Sequence, residues 1–366
     1  MKSSETLARA NSLGLLANAG QSPWYDNIDR RLLLNGELRE IFSRGMLGAT
    51  SNPTIFEKAV NGSTAYDADI KKLKKEGKSA LAIYDELTAD DIRSACELLR
   101  DTYVKTGHLD GYVSIEVPPD LAHDAGETAA SAKKILAKIN KPNVMIKVPA
   151  TREGIKAVRE MTGDGINVNV TLIFSMEQYR QSAEAYIEGL RSRLGAGKSV
   201  KGIRSVASVF VSRIDTRIDE LLEEKGKKGL QGKTAVSHMK MIYAEFKKLF
   251  TDPKFALLKE KGACPQRPLW ASTSTKNPLY RDVKYVEELI GPDTVNTMPP
   301  STMEAFLDHG AVAPAIEKEQ DMARKHLAEI AGLGIDLEKE CRDIQAAGVK
   351  AFQDSFDKLL SSISSK

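Results

Sequence analysis

A lysine inside an apolar run has the clearest chemical potential in this sequence. The stretch NVMIKVPATREGI, residues 143–155, places Lys147 after Val-Met-Ile and before another valine, in a predicted buried strand. Burial disfavours the charged form of a lysine, and the neutral amine is a nucleophile that condenses with ketones or aldehydes. The resulting iminium withdraws electrons from the adjacent carbon, so carbon–carbon bonds can be made or broken. Two structural alternatives stay open: Lys147 could form a buried ion pair with Glu116, or its amine could reach solvent at the barrel mouth.

The elements that would position this lysine alternate between short β-branched segments and longer helical patterns. Such alternation favours parallel strands joined by helical crossovers. Eight units predict an α/β protein: one (β/α)8 barrel over residues 1–366, with extra helices that include a C-terminal helical segment. The connection 213–267 is predicted to contain two helices. The strands are predicted near residues 22–26, 46–52, 112–117, 143–148, 166–174, 205–211, 268–273 and 294–298.

Three of these strands alternate apolar and polar residues. In the stretches YVSIEV and INVNVTLIF, as in the strand that carries Lys147, valine, isoleucine and leucine occupy one face and polar side chains the other. An antiparallel sheet with one solvated face would show the same pattern. Helices after each strand favour a barrel instead, because they give the apolar faces a surface to pack against. The polar side chains then point inward near the carboxyl ends, where barrel active sites form: Glu116, Lys147, Asn169 and Thr171.

Composition and missing motifs exclude several classes. The 53 Lys and Arg residues nearly balance 50 Asp and Glu, and a net charge of +3 argues against a nucleic-acid partner. The five histidines lack HExxH or other ligand spacing, and neither GxGxxG nor GxxxxGK[ST] occurs, so no metal, dinucleotide or P-loop site is expected. Three widely spaced cysteines suit a reducing cytoplasm. The start MKSSETLARANSLG lacks the apolar core of a signal peptide, and no run is long enough to cross a membrane.

Two motifs resemble a known family. GATSNPTIF, residues 48–56, closely resembles the Thr-Ser/Thr-Asn-Pro-Ser/Thr signature of transaldolases, and VMIKVPATREGI, residues 144–155, resembles their segment with the Schiff-base lysine. The resemblance looks most like the longer bacterial form, and it implies a class I aldolase-type barrel that needs neither a metal nor an organic cofactor. It covers nearly the whole chain, continuing through SPWYDNIDR, SIEVPPDLAHD, INVNVTLIFS, SVFVSRID, WASTSTKNP and GPDTVNTMP.

The resemblance implies four catalytic residues. Lys147 would form an imine with the ketose carbonyl. Asp26 matches the aspartate that exchanges a proton with the C4 hydroxyl, although it could instead cap the following helix. Glu116 and Thr171 match the pair that holds a proton-carrying water during imine formation, and Glu116 could also pair with Lys147.

Three residues match positions that bind sugar hydroxyls: Asn52, Asn169 and Ser208. An asparagine supplies a donor and an acceptor together, which suits a polyol. Asn52 could instead be a turn residue before Pro53, and Ser208 could be a small residue that fills the barrel.

The resemblance also implies a phosphate site. Arg213 aligns with a phosphate-binding arginine, and a guanidinium can bind phosphate through two parallel hydrogen bonds. A surface pair with Asp215 is the alternative. Shorter transaldolases have a second arginine after a compact Ala-Ser segment, whereas the turn ASTSTKN of this chain offers Lys276 for the charge and Ser272 for a hydrogen bond.

A transferase is favoured over the related lyases at two positions. Fructose 6-phosphate aldolases tend to have Tyr and Gln where this chain has Phe210 and Glu116, and a phenol there could favour release of free dihydroxyacetone. Phe210 could also be simple core packing.

The predicted function is therefore that of a transaldolase of the pentose phosphate pathway. It would transfer a dihydroxyacetone unit reversibly from sedoheptulose 7-phosphate or fructose 6-phosphate to glyceraldehyde 3-phosphate or erythrose 4-phosphate. The predicted partners are these sugar phosphates, with neither nucleic acid nor membrane, and homo-oligomerisation stays open. The alternatives are a lyase of the fructose 6-phosphate aldolase type and a non-catalytic phosphosugar-binding barrel.

Overall fold

Eight parallel strands form a closed barrel in the order β1 to β8. A computed structural model describes residues 11–366; part of the expectation about the chain start falls on residues 1–10, outside the described residues. Each predicted strand is present, and the antiparallel alternative is wrong, because every neighbouring pair of strands is parallel. The strands are β1 (Gln21–Tyr25), β2 (Gly48–Thr50), β3 (Val113–Glu116), β4 (Val144–Pro149), β5 (Val168–Ile173), β6 (Ser205–Phe210), β7 (Arg267–Ala271) and β8 (Thr294–Met298).

Helices surround this barrel, and the longest of them is C-terminal. None of the described helices is long and apolar enough to cross a membrane. Those of residues 11–366 are α1 (Ser12–Asn18), α2 (Arg30–Leu34), α3 (Glu37–Ser43), α4 (Pro53–Asn61), α5 (Asp67–Lys75), α6 (Ala80–Leu98), α7 (Arg100–Lys105), α8 (Ala125–Ile139), α9 (Arg152–Asp164), α10 (Met176–Gly195), α11 (Ser212–Glu224), α12 (Thr234–Thr251), α13 (Pro253–Glu260), α14 (Lys284–Glu287), α15 (Pro300–His309), α16 (Gln320–Gly332) and α17 (Leu337–Ser365).

The connection between β6 and β7 contains three α-helices, so the prediction of two is wrong. The second helical stretch is divided between α12 and α13. The break lies at Pro253, which has no backbone N–H and therefore cannot continue α12. The same residue is well suited to the first turn of α13, where an N–H would have no partner within the helix. The Asp252 side chain caps the new helix by accepting a hydrogen bond from the Lys254 amide at 2.7 Å.

Side-chain caps join several strand ends to the helices that follow. Asn52 accepts a hydrogen bond from the Ile55 amide at the start of α4, and Thr151 caps α9 in the same way. Ser175 forms a capping box at the start of α10. These caps satisfy amides that would otherwise lack partners, and they hold the ends of β4 and β5 in place at the rim of the barrel.

The barrel register brings the predicted polar side chains together. Glu116 lies opposite Lys147 across β3 and β4, and Lys147 lies opposite Asn169 across β4 and β5. Because side chains alternate along a strand, all three belong to the set that points into the barrel. The apolar residues between them face the helices and are buried.

The C-terminal helix α17 lies against the carboxyl-end rim. Its Gln345 side chain donates hydrogen bonds to the carbonyl oxygens of Ala150 (2.8 Å) and Leu172 (2.9 Å), at the ends of β4 and β5. Further along, the Ser355 hydroxyl lies 2.8 Å from that of Thr54 on α4. One helix therefore spans the rim from β5 to α4.

Candidate functional site

A cavity of about 500 Å³ opens at the carboxyl ends of the strands. Its volume lies within the range that binds a sugar-sized ligand. Most of the predicted site residues border it: Asp26, Asn52, Lys147, Thr171, Ser208, Phe210, Arg213, Ser272 and Lys276. Glu116 and Asn169 are not part of its lining, although both are buried beside residues that are.

The Lys147 amine is enclosed, with its side chain only 5% exposed. It donates a hydrogen bond to the Ser51 carbonyl at 3.0 Å, and Nζ lies 3.6 Å from Oε2 of Glu116. The ion-pair alternative is therefore present in the structure. The alternative of an amine extended into solvent is wrong, because the Lys147 side chain is only 5% exposed although it borders the cavity.

Glu116 is a carboxyl group that burial pushes towards its neutral form. Loss of solvation raises its pKa from 4.5 to about 7, against the opposing effect of the Lys147 charge, and the nearby Asp26 raises it further. Its Oε2 is buried and receives no hydrogen bond from any described residue. A buried carboxylate without its full set of donors is poised to exchange a proton near neutral pH.

Asp26 follows β1 and faces the cavity. Its Oδ1 accepts a hydrogen bond from the Thr50 hydroxyl at 2.6 Å, and that hydroxyl lies 2.7 Å from the hydroxyl of Thr297. Since Thr50 has one proton and gives it to Asp26, Thr297 is the donor in the second bond. Burial raises the pKa of Asp26, while Lys147 and the Thr50 hydrogen bond oppose the rise.

The helix-cap alternative for Asp26 is wrong. Helix α2 begins only at Arg30, and the side chain that caps it is that of Asp29, which accepts a hydrogen bond from the Arg31 amide at 2.8 Å. Asp26 lies too early in the chain for that position, so its carboxylate stays available to the cavity.

Thr171 borders the cavity on β5, two residues after Asn169. Its hydroxyl is buried and has no hydrogen-bond partner among the described residues, as is true of Oε2 of Glu116. Buried polar atoms are normally paired, so both oxygens require a partner that residues 11–366 do not supply. A water molecule or a substrate hydroxyl is the kind of group that meets this need.

The three predicted hydroxyl-binding residues differ in what they already bind. Asn52 caps α4 through its side-chain oxygen and also borders the cavity, so the local role does not exclude a role in binding. Asn169 donates to the Ser114 hydroxyl at 3.0 Å and accepts from Ser208 at 2.6 Å. The amide of Asn169 is thus part of a buried network, and Ser208 links that network to the cavity.

Arg213 lies in the first turn of α11 with its guanidinium carbon 5.4 Å from the ring centre of Phe210. The alternative of an ion pair with Asp215 is wrong. Residues two apart in a helix point to different sides, and Asp215 instead accepts hydrogen bonds from the Ala235 amide and the Tyr285 hydroxyl, both at 2.7 Å. Partial burial lowers the pKa of Arg213.

The turn after β7 contributes hydroxyl groups and one cation. The Ser272 hydroxyl lies 2.9 Å from that of Ser212, and Lys276 donates to the Ser274 hydroxyl at 2.7 Å. Burial lowers the pKa of Lys276, and the charges of Arg213 and Lys58 lower it further. The cavity therefore has a cationic side next to Phe210 and an acidic side at Asp26.

Several lining residues escaped sequence reasoning. Phe352 reaches the cavity from α17, Lys58 from α4, and Thr297 from β8. Two of these residues could have been found from the sequence, because Thr50 is the last residue of β2 and Thr297 the last but one of β8, and strand ends form the rim of the barrel. No local pattern identified Phe352, because its position depends on where α17 packs. Among residues 11–366, no cluster of three or more His, Cys, Asp or Glu side chains is arranged to hold a metal ion.

Comparison with known proteins agrees with this geometry. The family model described as Transaldolase/Fructose-6-phosphate aldolase matches residues 23–363. The chain belongs to the transaldolase/fructose-6-phosphate aldolase family. The matched region of the transaldolase family runs from β1 into α17, so it includes every residue assigned to the cavity.

Individual members of the transaldolase family match over most of their length. A protein named Transaldolase from Trichodesmium erythraeum (strain IMS101) is 43% identical over 370 residues, which covers 97% of each chain. Transaldolase from Frankia alni is 42% identical over 359 residues, also 97% of each chain. Transaldolase from Neisseria gonorrhoeae is 43% identical over 341 residues, which is 93% of this chain and 96% of its own. These relatives support an enzyme, a transferase of the transaldolase type, rather than a non-catalytic barrel.

Proposed function

We propose that the protein transfers a dihydroxyacetone unit between sugar phosphates through an imine formed on Lys147. One observation carries the proposal: the enclosed Lys147 amine is accompanied by two carboxyl groups whose pKa values burial raises, Asp26, which borders the cavity, and Glu116, which lies 3.6 Å from the amine. This combination provides a nucleophile and two groups that can exchange protons with the substrate. A phosphosugar-binding barrel without catalysis would need none of the three.

Imine formation begins with attack of the neutral Lys147 amine on C2 of a ketose phosphate. The nitrogen gives up one of its two protons, and the carbonyl oxygen takes up a proton to become a hydroxyl. A second proton, from an acid in the site, lets this hydroxyl leave as water and leaves an iminium with one proton on its nitrogen. Glu116 and Thr171 support these transfers, because neither buried oxygen has a hydrogen-bond partner among residues 11–366 and a water molecule is the kind of group that meets this need. Glu116 can accept a proton as a carboxylate and return it as an acid.

Carbon–carbon cleavage uses the other side of the cavity. Asp26 takes the proton of the C4 hydroxyl, the C3–C4 bond breaks, and its electron pair moves into the iminium to give an enamine on Lys147. The aldose phosphate then leaves. An acceptor aldehyde takes its place, the enamine carbon attacks it, and Asp26 returns the proton to the new hydroxyl. Hydrolysis of the iminium releases the new ketose phosphate and restores the amine.

The remaining assignments concern binding. Asn52, Asn169 and Ser208 orient the sugar hydroxyls, either directly or through the network that ends at Ser208. Arg213 binds the phosphate, with Lys276 and Ser272 at its other side. Phe210 packs beneath the Arg213 guanidinium, and its ring offers no hydroxyl that could activate a water against the enamine.

We further propose that the barrel and α17 form one catalytic domain, because the cavity wall includes Phe352 from that helix. The physiological donors would be sedoheptulose 7-phosphate and fructose 6-phosphate, and the acceptors glyceraldehyde 3-phosphate and erythrose 4-phosphate. These sugars place the reaction in the pentose phosphate pathway. We place it in the cytoplasm, which the cysteine content favours.

An assay with fructose 6-phosphate, with and without erythrose 4-phosphate, tests the proposal. Turnover that depends on the acceptor is the expected result. Equal turnover without acceptor would mean a lyase, which releases free dihydroxyacetone. No turnover by folded protein would favour a binding barrel and overturn the proposed chemistry.

A further inference from the structure

Three cations border the cavity, and the proposed phosphate site accounts for only two of them, Arg213 and Lys276. Arg213, Lys276 and Lys58 all border it, and they come from three separate elements: α11, the turn after β7, and α4. Among residues 11–366, no carboxylate lies within ion-pairing distance of any of the three. Arg31 also borders the cavity, but it is paired with Asp29.

Lys58 belongs to a helical face that is directed at the cavity. The residues of α4 that border the cavity are Thr54, Ile55, Lys58 and Ala59. This spacing of one turn places them on the same side of a helix. Glu57, by contrast, accepts a hydrogen bond from Asn61 on the exposed surface. Lys58 is itself exposed, so it lies at the outer part of the cavity and its ammonium is free to move.

The cations influence one another. The pKa of Lys276 is lowered by burial and then by the charges of Arg213 and Lys58. Three positive charges in one cavity repel each other unless an anion lies between them. A phosphoryl dianion is the group of a sugar phosphate that relieves this repulsion.

We propose that Lys58 contacts the phosphoryl group of bound sugar phosphates and shares that contact with Lys276. The inference rests on the proposed function and adds a residue to its phosphate site. A lysine is a mobile point charge, whereas an arginine presents a rigid fork. Two lysines at the outer part of the cavity, with the arginine deeper, can follow a phosphoryl group whose position changes with the length of the sugar.

The replacement of Lys58 by methionine tests the inference, because methionine keeps much of the side-chain length and removes the charge. We expect the KM for fructose 6-phosphate to rise about tenfold, with a much smaller change in kcat. The KM for unphosphorylated fructose should change less than twofold. Inhibition by inorganic phosphate should weaken by about the same factor as the KM rises.

Two further variants distinguish direct contact between Lys58 and the phosphoryl group from long-range electrostatic attraction. Lys58→Arg keeps the charge and should restore most of the affinity. Lys71→Met removes an exposed charge on α5, outside the cavity lining, and should leave the KM for fructose 6-phosphate close to wild type. A tenfold rise in both methionine variants would indicate only long-range attraction and would overturn the inference.

The experiment distinguishes this inference from the function on which it rests. If wild-type protein shows no acceptor-dependent turnover, the proposed function fails. If wild-type protein turns over and Lys58→Met has an unchanged KM for fructose 6-phosphate, only the role of Lys58 fails. Equal rises for fructose 6-phosphate and fructose would also reject it, because contact with the phosphoryl group cannot affect a sugar that lacks one.

Discussion

The amine of Lys147 lies 3.6 Å from a carboxylate oxygen of Glu116, yet its hydrogen bond goes to the Ser51 carbonyl at 3.0 Å. The opposite end of the barrel holds a different kind of buried pair. There, Arg267 donates to Asp110 at 3.0 Å, and Ser22 and Trp24 also donate to that carboxylate. The Asp110 carboxylate is hydrogen-bonded at both oxygens, whereas Oε2 of Glu116 has no donor among residues 11–366, which suits Glu116 to proton exchange.

Lys147→Ala should abolish turnover and leave the protein folded. Without the Lys147 charge, nothing opposes the desolvation of Glu116, so its pKa rises and it stays neutral rather than becoming an unpaired buried charge. We expect activity to fall by at least about 10⁴-fold. Borohydride treatment with fructose 6-phosphate, followed by peptide mass mapping, should modify Lys147 in wild type and no site in the variant. Retained turnover would remove Lys147 from the mechanism.

The pH profile should report Glu116. Because its pKa is raised to about 7, the carboxylate that accepts protons is lost as pH falls through that value. The kcat/KM for the donor sugar should therefore decline on the acidic side with an apparent pKa near 7, a value that belongs to the coupled pair with Lys147. Glu116→Gln should lower the rate by about 10²-fold to 10³-fold and flatten this limb. If Glu116→Gln shows the same acidic decline of kcat/KM as wild type, the decline reports another group, such as Asp26.

Arg213→Ala should act on phosphorylated sugars. We expect the KM for fructose 6-phosphate to rise by about 10-fold to 100-fold, with little change for fructose, because only the former offers a dianion to the guanidinium. The KM of Arg213→Lys for fructose 6-phosphate should lie between the values of wild type and Arg213→Ala. Arg217, one turn later on α11, pairs with Glu340 outside the cavity, so Arg217→Ala is the matched control. Equal effects on both sugars would remove Arg213 from the phosphate site.

Asp110→Asn should reduce stability without affecting catalysis. The Asp110 carboxylate accepts hydrogen bonds from Arg267, Ser22 and Trp24 through two oxygens, whereas an asparagine amide has only one oxygen. The substitution also leaves the buried Arg267 guanidinium without its counter-charge. Breaking such a pair costs about 3–5 kcal/mol in the free energy of unfolding, measurable by denaturant titration. Asp101→Asn, at an exposed residue, serves as control. A changed KM would show that the two ends of the barrel are coupled.

The sequence predicted the strands and the Lys147 site because the relevant rules are local. Side chains alternate along each strand, and parallel strands end at one rim, so the positions of Glu116, Lys147 and Thr171 followed from their spacing. The Asp215 alternative failed for an equally local reason, since residues two apart on a helix do not face each other.

The cavity wall from α17 could not be predicted in this way. Its amphipathic pattern indicates that one face is buried, but the pattern does not specify the surface against which it packs. That choice depends on contacts distant in sequence, such as Gln345 with the carbonyl oxygens after β4 and β5. Phe352 therefore became visible as a residue of the cavity lining only in the folded chain. Lys58 could not be predicted for a related reason. The sequence of α4 does not show which of its faces borders the cavity.

Gly348 on α17 offers a test of that packing. A methyl group at this position would lie 3.2 Å from a methyl carbon of Leu172 and 3.3 Å from Nη1 of Arg213, which is tighter than ordinary contact. Gly348→Ala removes backbone freedom worth about 0.5–1 kcal/mol in a helix interior, so the free energy of unfolding should stay level or rise. The guanidinium must move, however, and the KM for fructose 6-phosphate should rise about threefold. Gly332→Ala at the end of α16, where an added methyl group meets no neighbour, should leave KM unchanged. If both variants bind the donor like wild type, the packing of α17 does not set the position of Arg213.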